Sequence, residues 1–311
     1  MTGNPLRLGT RRSTLAMAQS GQVADALRAA LGRDVELVPV VTEGDRSPEA
    51  LTQLGGTGVF VTALREALLD GRIDLAVHSL KDLPTAPAPD LILAAVPLRE
   101  DPRDVLVCPA GLTLGELAPG ARVGTGAPRR AAQLHALGLG LDIVPVRGNV
   151  DTRIKKAIDG ELDAVVLARA GLARLDRLDA ITEVLDPTQM LPAPGQGALA
   201  VECRDPGLAA DLAVLDDPAS RMAVLAERTL LADLEAGCSA PVGALADVAE
   251  GFDDAAGTET EIYLRAVVAA VDGSDFVRLS ATGPGIDPVG IGHRLATDLL
   301  AAGVATLMGK P

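Results

Sequence analysis

Hydrophobic positions recur in two rhythms along the first two thirds of the chain. Short apolar runs alternate with stretches whose apolar residues return every three to four positions, the marks of buried strands and amphipathic helices. Leu6–Thr10 reads as a strand. A helix follows, with Ser13 as its N-cap, Val23, Leu27 and Leu31 on one face, and Gly32 as its stop. Val35–Val41 is an apolar strand interrupted only by Glu36 and Pro39, Val59–Leu69 a helix, and Ile73–His78 a buried strand. This alternation predicts a parallel sheet with helices on both faces.

The pattern then repeats. Gly9-Thr10-Arg11-Arg12 is echoed by Gly124-Thr125 with Arg129-Arg130 shortly after. Val38-Pro39-Val40 is echoed by Val144-Pro145-Val146, and the run from Asp70 to Val77 by the run from Asp159 to Val166. Three echoes in one order predict two similar α/β domains with a cleft between them, where strand C-termini and helix N-termini converge. The first copy carries an insertion, Thr42–Gly58, that reads as a mobile loop or lid. After about residue 216 the character changes. Pro218–Glu235 reads as a helix, Glu261–Val271 and Phe276–Thr282 as antiparallel strands, and Pro288–Ala302 as a helix. The expected fold is two α/β domains, residues 1–98 with 198–216 and residues 99–197, plus a smaller α+β domain over 217–311.

Composition narrows the possibilities. Of the 311 residues 48% are hydrophobic, but there is no Trp, one Tyr and three Phe, so the cores must be aliphatic. Exposed aromatic platforms for nucleic-acid bases are not expected. The net charge of −14 argues against nucleic acid or an acidic membrane as partner. No apolar run reaches the length of a membrane span, and no leader pattern follows Met1. Cys108, Cys203 and Cys238 are odd in number and widely spaced, which points to a reducing cytoplasm rather than disulfides or zinc. No metal constellation is seen. A monomer is expected from the acidic composition and the lack of an obvious apolar patch.

Within this acidic chain the cations are clustered. Arg11 and Arg12 follow the first strand; Arg129 and Arg130 open a helix; Arg147 ends a strand; Arg153 lies on the next helix; Arg174 follows another strand. A cation in a helix's first turn opposes the helix dipole unless an anion sits there. Guanidinium groups match carboxylates in bidentate fashion, so the group points to a ligand with several carboxylates or phosphates. Each arginine alone reads more readily as a solvated surface charge; the group together reverses that preference. Lys81 and Asp82 lie side by side after a buried strand, a surface turn or a carboxylate that steadies a cation. His78, on that strand, reads as a hydrogen-bonded core residue. Gly195-Gln196-Gly197 is read as a close backbone approach at a domain crossover. Cys108 and Cys203 sit in apolar strands, whereas Cys238 follows a helix stop at Ala236-Gly237 and stands on a loop, where a thiol is accessible.

Six segments occur in the order of one family: Thr10-Arg11-Arg12-Ser13, the run from His78 to Pro84, Glu100-Asp101-Pro102-Arg103-Asp104, Arg147-Gly148-Asn149, Gly195-Gln196-Gly197-Ala198, and Leu234-Glu235-Ala236-Gly237-Cys238. The chain resembles hydroxymethylbilane synthase (porphobilinogen deaminase) over essentially its whole length. The resemblance implies two periplasmic-binding-protein-like domains with a central cleft plus a third domain. It implies a dipyrromethane cofactor joined by thioether to Cys238, with Ser79, Lys81, Asp82, Thr125, Arg129 and Arg130 around it. It implies that four molecules of porphobilinogen are condensed in turn, each losing ammonia, before water releases linear hydroxymethylbilane. Arg11, Ser13, Arg147, Arg153, Arg174 and Gln196 match substrate contacts, and Phe60 either packs on a pyrrole or belongs to the core. Asp82 matches the residue that stabilises the azafulvene-type cation. Two departures stand out: Gly126 and Ala127 replace a pair of serines found in many relatives, and Gln53 and Thr57 replace loop lysines. A binding protein for an anionic solute explains two lobes and an arginine cleft, though not a nucleophilic thiol. A thiol acyl transferase lacks a histidine near Cys238.

Overall fold

A computed structural model describes residues 4–40, 58–237, 240–253 and 257–308. The chain divides into two compact units, residues 1–100 with 198–221 and residues 101–197 with 222–311. In chain order the first elements are β1 (Leu6–Thr10), α1 (Thr14–Leu31), β2 (Val35–Pro39), α2 (Gly58–Leu69), β3 (Leu75–Ser79) and β4 (Ile92–Ala95). There follow β5 (Asp104–Val107), β6 (Arg122–Thr125), α3 (Pro128–Ala136), β7 (Asp142–Pro145), α4 (Val150–Ile158), β8 (Ala164–Ala168), α5 (Arg169–Arg174) and β9 (Glu183–Val184). The rest are β10 (Leu199–Cys203), α6 (Pro206–Leu212), α7 (Pro218–Asp233), β11 (Val242–Asp253), β12 (Gly257–Ala269), β13 (Phe276–Pro284), α8 (Pro288–Ala301) and α9 (Val304–Leu307).

Local chemistry sets these boundaries. Helix α1 starts where Ser13 accepts the Ala16 N–H, and stops where Gly32 turns to φ 61° and donates back to the Arg28 carbonyl. Helix α4 starts at Asn149, whose side chain accepts the Thr152 N–H. Helix α3 has Pro128 at its first position and no side-chain cap; its first turn closes on the Ala127 carbonyl, which accepts the Arg130 and Ala131 N–H groups.

The first unit holds a sheet in the order β2-β1-β3-β10-β4, and the second a sheet in the order β7-β6-β8-β5-β9. The duplication reaches single residues. Gly9 pairs with Val38 and Ala76, and Gly124 with Val144 and Val165. Asp74 accepts the Arg7 backbone N–H at 2.8 Å, and Asp163 that of Arg122 at 2.7 Å. The sheets are not wholly parallel, as the alternation predicted. β10 runs antiparallel to β3 and β4, and β5 antiparallel to β8 and β9. Those strands do not continue the local strand–helix rhythm, so their direction is set by tertiary pairing.

The cores are aliphatic, as the composition requires. Leu8, Leu27, Leu75 and Val201 fill one face of the first sheet, and Leu64, Leu68 and Ile73 the other. Leu106, Val123 and Val166, and on the opposite face Val105, Ile154 and Val165, do the same in the second. The C-terminal part is α+β. Its antiparallel sheet β11-β12-β13 buries Ile262, Leu264 and Ala266 against Leu230 of α7 and Leu295 of α8. β11 has no counterpart in the expected elements, because its Gly, Ala and Asp residues dilute the strand signal. Helix α7 ends earlier than the predicted Gly stop: Glu235 takes the left-handed conformation at φ 46°, and Ala236 donates to the Leu231 carbonyl. Among the described residues no helix is long and apolar enough to cross a membrane.

Candidate active site

In the first unit the parallel strands β1 and β3 deliver their C-terminal residues to one edge of the sheet. After β1 come Arg11 and Ser13; after β3 a single 3-10 turn, Leu80–Asp82, closed by the Leu83 N–H on the Leu80 carbonyl. The Leu80 N–H is tied to the Ala198 carbonyl at 3.0 Å, which anchors the turn to the strand beside it. Ser79 bonds through its hydroxyl to Gln19 of α1 at 2.9 Å. Arg11, Gln19, His78, Ser79 and Asp82 line one small cavity of about 40 Å³. The structure thus gathers Arg11, Ser79 and Asp82, and adds Gln19 and His78. Ser13 Oγ accepts the Ala16 N–H in capping α1 and keeps its O–H for a ligand. Lys81 is half-buried in the same turn.

In the second unit the central feature is Asp104, fully buried at the start of β5. Because β5 is antiparallel, its first residue falls opposite Ala168, the last of β8, and so at the edge where the arginines lie. Asp104 Oδ2 meets Arg129 Nη2 at 2.8 Å, and Oδ1 accepts from Arg130 Nη2 at 2.8 Å and from Gln196 Nε2 at 2.8 Å. Arg129 also donates to the Leu191 carbonyl and Arg130 to the Val166 carbonyl. Burial alone would raise the Asp104 carboxyl, but the two guanidiniums and the Gln196 amide outweigh it and hold it down at about 2. Burial pulls Arg129 below its ordinary value, and burial with the nearby charge of Arg130 does the same to Arg153. Arg153 donates to the Gly148 carbonyl at 2.8 Å. Two guanidiniums therefore share one carboxylate, and Arg153 lies near enough to Arg130 to feel its charge.

The remaining expected residues are placed as follows. Thr125 is buried at the end of β6, and its hydroxyl accepts the Ala127 N–H at 3.2 Å. Arg147 is exposed and has no ion-pair partner among the described residues. Arg174 lies at the end of the short helix α5 rather than directly after a strand, and donates to the Gly197 carbonyl at 2.6 Å. Gln196 is buried because the flanking Gly195 and Gly197 adopt φ 72° and 89°, left-handed values that favour glycine. This Gly-x-Gly is a seat for an amide on Asp104. Cys238, Gln53 and Thr57, with residues 42–57 of the expected loop, lie outside the described residues, as does the side chain of Phe60. Cys108 and Cys203 are buried, and burial lifts the Cys203 thiol to about 11, so neither is a nucleophile. Among the described residues no group of three or more His, Cys, Asp or Glu is arranged for a metal ion. Asp104 and Glu202 carry no role in the sequence reading. The available signal was a carboxylate placed at the first or fourth position of an apolar strand.

Residues 6–210 match the model of the porphobilinogen deaminase dipyromethane cofactor binding domain, and residues 221–301 that of the porphobilinogen deaminase C-terminal domain. The chain belongs to the porphobilinogen deaminase family. Its relatives include porphobilinogen deaminase of Nocardia farcinica, 60% identical over 99% of this chain and 89% of that protein. Porphobilinogen deaminase 1 of Streptomyces avermitilis is 60% identical over 100% of this chain and 99% of that protein, and the Mycobacterium tuberculosis porphobilinogen deaminase is 58% identical over 97% and 98%. Solved structures with similar α/β layers include immunogenic lipoprotein A of Vibrio vulnificus, with a TM-score of 0.42 and 14% identity over 68% of this chain and 94% of that one. For a porphobilinogen deaminase the expected cofactor, a dipyrromethane, follows from the matched domain. The residues fit it. A dipyrromethane bears acetate and propionate groups, and two buried guanidiniums on a single carboxylate, with the half-buried Arg153 near Arg130, have positive charge to spare for them.

Proposed function

We propose that this chain is a transferase that condenses four porphobilinogen molecules head to tail, with loss of ammonia at each step, and then hydrolyses the product to linear hydroxymethylbilane for heme and porphyrin biosynthesis. The observation that carries this reading is the surplus of buried guanidinium charge around Asp104. Buried cations are retained where an anion completes them. Cys238 is the residue proposed to hold the cofactor by thioether, with Ser79, Lys81, Thr125, Arg129 and Arg130 binding its carboxylates. The cofactor, when bound, supplies the first pyrrole nucleophile. Arg11, Ser13, Arg147, Arg153, Arg174 and Gln196 are assigned to porphobilinogen and the lengthening chain, and Phe60 to a pyrrole face.

Asp82 does the chemistry that the protein contributes. When the porphobilinogen C–N bond breaks, ammonia leaves with the electron pair and a methylene-pyrrole cation remains. A carboxylate in a small cavity walled in part by Ala16, Val61, Leu64 and Val77 stabilises that cation more strongly than one in water. The same oxygen then takes the proton lost from the attacking ring carbon. The protein is proposed to act as a cytoplasmic monomer, with domains over 1–98 plus 198–216, 99–197 and 217–311.

Intact-protein mass spectrometry tests the anchoring. The purified active chain should carry the mass of two linked pyrroles on Cys238, and an unmodified thiol in active protein excludes the reading. Asp82→Asn should retain the adduct yet lose about 100-fold or more in kcat. A normal rate removes Asp82 from the mechanism.

A further inference from the structure

A second polar set lies in the first unit, under α2. Glu202 is 3% exposed, the fourth of five buried residues of β10. Arg65 of α2 grips it with both ends of the guanidinium, Nη2 to Oε1 at 2.7 Å and Nε to Oε2 at 3.1 Å. His78 of β3 brings Nε2 to 3.1 Å from the same Oε2, a charge-pair distance without ideal hydrogen-bond alignment. Burial opposes ionisation of Glu202, but the His78 and Arg65 contacts overcome it and hold the carboxyl at about 2. Packing does not require these three groups, since apolar residues of the same volume serve a helix–sheet contact as well or better.

The ionised carboxylate fixes the imidazole. A carboxylate is acceptor only, so one lying 3.1 Å from Nε2 favours the tautomer with Nε2–H, in which Nδ1 keeps its lone pair. His78 also lines the cavity of about 40 Å³ that Asp82 lines. That volume admits a water, and Arg11, Gln19, Ser79 and Asp82 supply polar partners for it. Among the described residues, the charged groups around His78 are Glu202 from β10, Arg65 from α2, Arg11 after β1 and Asp82 after β3; α1 contributes only the neutral Gln19.

We propose that His78 is a positioning residue for Asp82, its Nδ1 receiving through a water in the shared cavity the proton that Asp82 takes up, so that Asp82 is ionised again for the next addition. This rests on the reading that Asp82 handles that proton. The exchange balances. Porphobilinogen enters as an ammonium; its C–N bond breaks and ammonia leaves with the pair. The new C–C bond uses a pyrrole π pair, and the C–H pair restores the ring as its proton passes to Asp82. That proton moves to His78 Nδ1, giving an imidazolium beside Glu202, and from there to the departing ammonia, which leaves as ammonium. Glu202 and Arg65 hold the ring in the tautomer this requires.

Nitrogen-15 NMR of the holoenzyme reads the tautomer directly, and the chain has only three histidines, His78, His135 and His293. His78 should show a protonated Nε2 and a bare Nδ1 at neutral pH; a protonated Nδ1 with a bare Nε2 overturns the proposal. This measurement needs no variant of the site. The kcat–pH profile supplies the second readout. The wild-type rate should fall on the acid side, where excess protons block the relay. His78→Asn should remove that limb and lower kcat about tenfold at neutral pH with KM unchanged. Glu202→Gln should move the limb to lower pH, since the imidazolium loses its counter-charge. Profiles of both variants that match the wild-type shape after scaling overturn the proposal. Such profiles together with an inactive Asp82→Asn sink this inference alone, whereas an active Asp82→Asn sinks the reading beneath it.

Discussion

Replacing Asp104 by Asn keeps the shape of a fully buried side chain and removes its charge. Two guanidiniums at 2.8 Å then face an amide. The size of the loss follows from linkage. Asp104 is held at about 2 against an ordinary 3.8, and each pH unit of depression is about 1.4 kcal/mol, so ionised Asp104 stabilises the fold at neutral pH by about 2 kcal/mol net of its burial. Removing one partner of a buried charge pair adds the cost of the orphaned charge, for a total of about 3–5 kcal/mol. Because the folded value is depressed, the wild-type contribution is complete above the unfolded value and fades as pH falls toward the folded one; at pH 3 roughly half remains. Urea unfolding of wild type and variant at pH 7, 5, 4 and 3 measures this. The stability gap should be large at pH 7 and 5 and should narrow between pH 4 and 3. Asp25→Asn, at a surface pair with side chains 44% and 79% exposed, serves as control and should cost under about 1 kcal/mol. A gap below about 1 kcal/mol at pH 7, or one that stays constant down to pH 3, would refute the assignment of Asp104 as the counter-charge of the arginine cluster.

Arg147→Ala should leave the melting temperature within about 1 °C, since the side chain is exposed, and raise KM for porphobilinogen about tenfold, the worth of one charge-assisted hydrogen bond; an unchanged KM removes it from the substrate site. Gly124→Ala would set a methyl 2.6 Å from Leu162 Cδ1 and 2.7 Å from Val146 Cγ2, and should cost about 1–3 kcal/mol in denaturant titration, with a neutral outcome showing slack in the second sheet. Positions 126 and 127, where the family resemblance leads to an expectation of serines, do not accept serine equally. A Cβ at Gly126 falls 2.5 Å from the Val146 carbonyl oxygen, so Gly126→Ser should destabilise, while Ala127→Ser should fold normally and lower KM; a stable Gly126→Ser with improved KM contradicts the steric argument.

Local pattern alone determined the parts of this molecule whose signal is short-range. Ser13, Gly32 and Asn149 mark helix ends because capping is a contact between neighbours in sequence. The echo of Gly9-Thr10 in Gly124-Thr125 announced two equivalent sheets because a glycine beneath Ile73 or Leu162 is a packing demand written into both copies. The arginines and Asp82 were recognisable as chemistry because charge placed beside a strand C-terminus is unusual at any distance. Tertiary pairing decided the rest. The reversed direction of β5 and β10 cannot be read from alternation, yet it brings Asp104 to Arg129 and Arg130 and sets Glu202 beside His78. A carboxylate 25 residues away in sequence from one arginine and 26 from the other becomes their shared partner only when the strand runs backwards. His78 looked like a core residue, and it is one; that it also borders the Asp82 cavity is a fact of the folded sheet, since opposite sides of one imidazole can meet a buried carboxylate and a polar cavity at once.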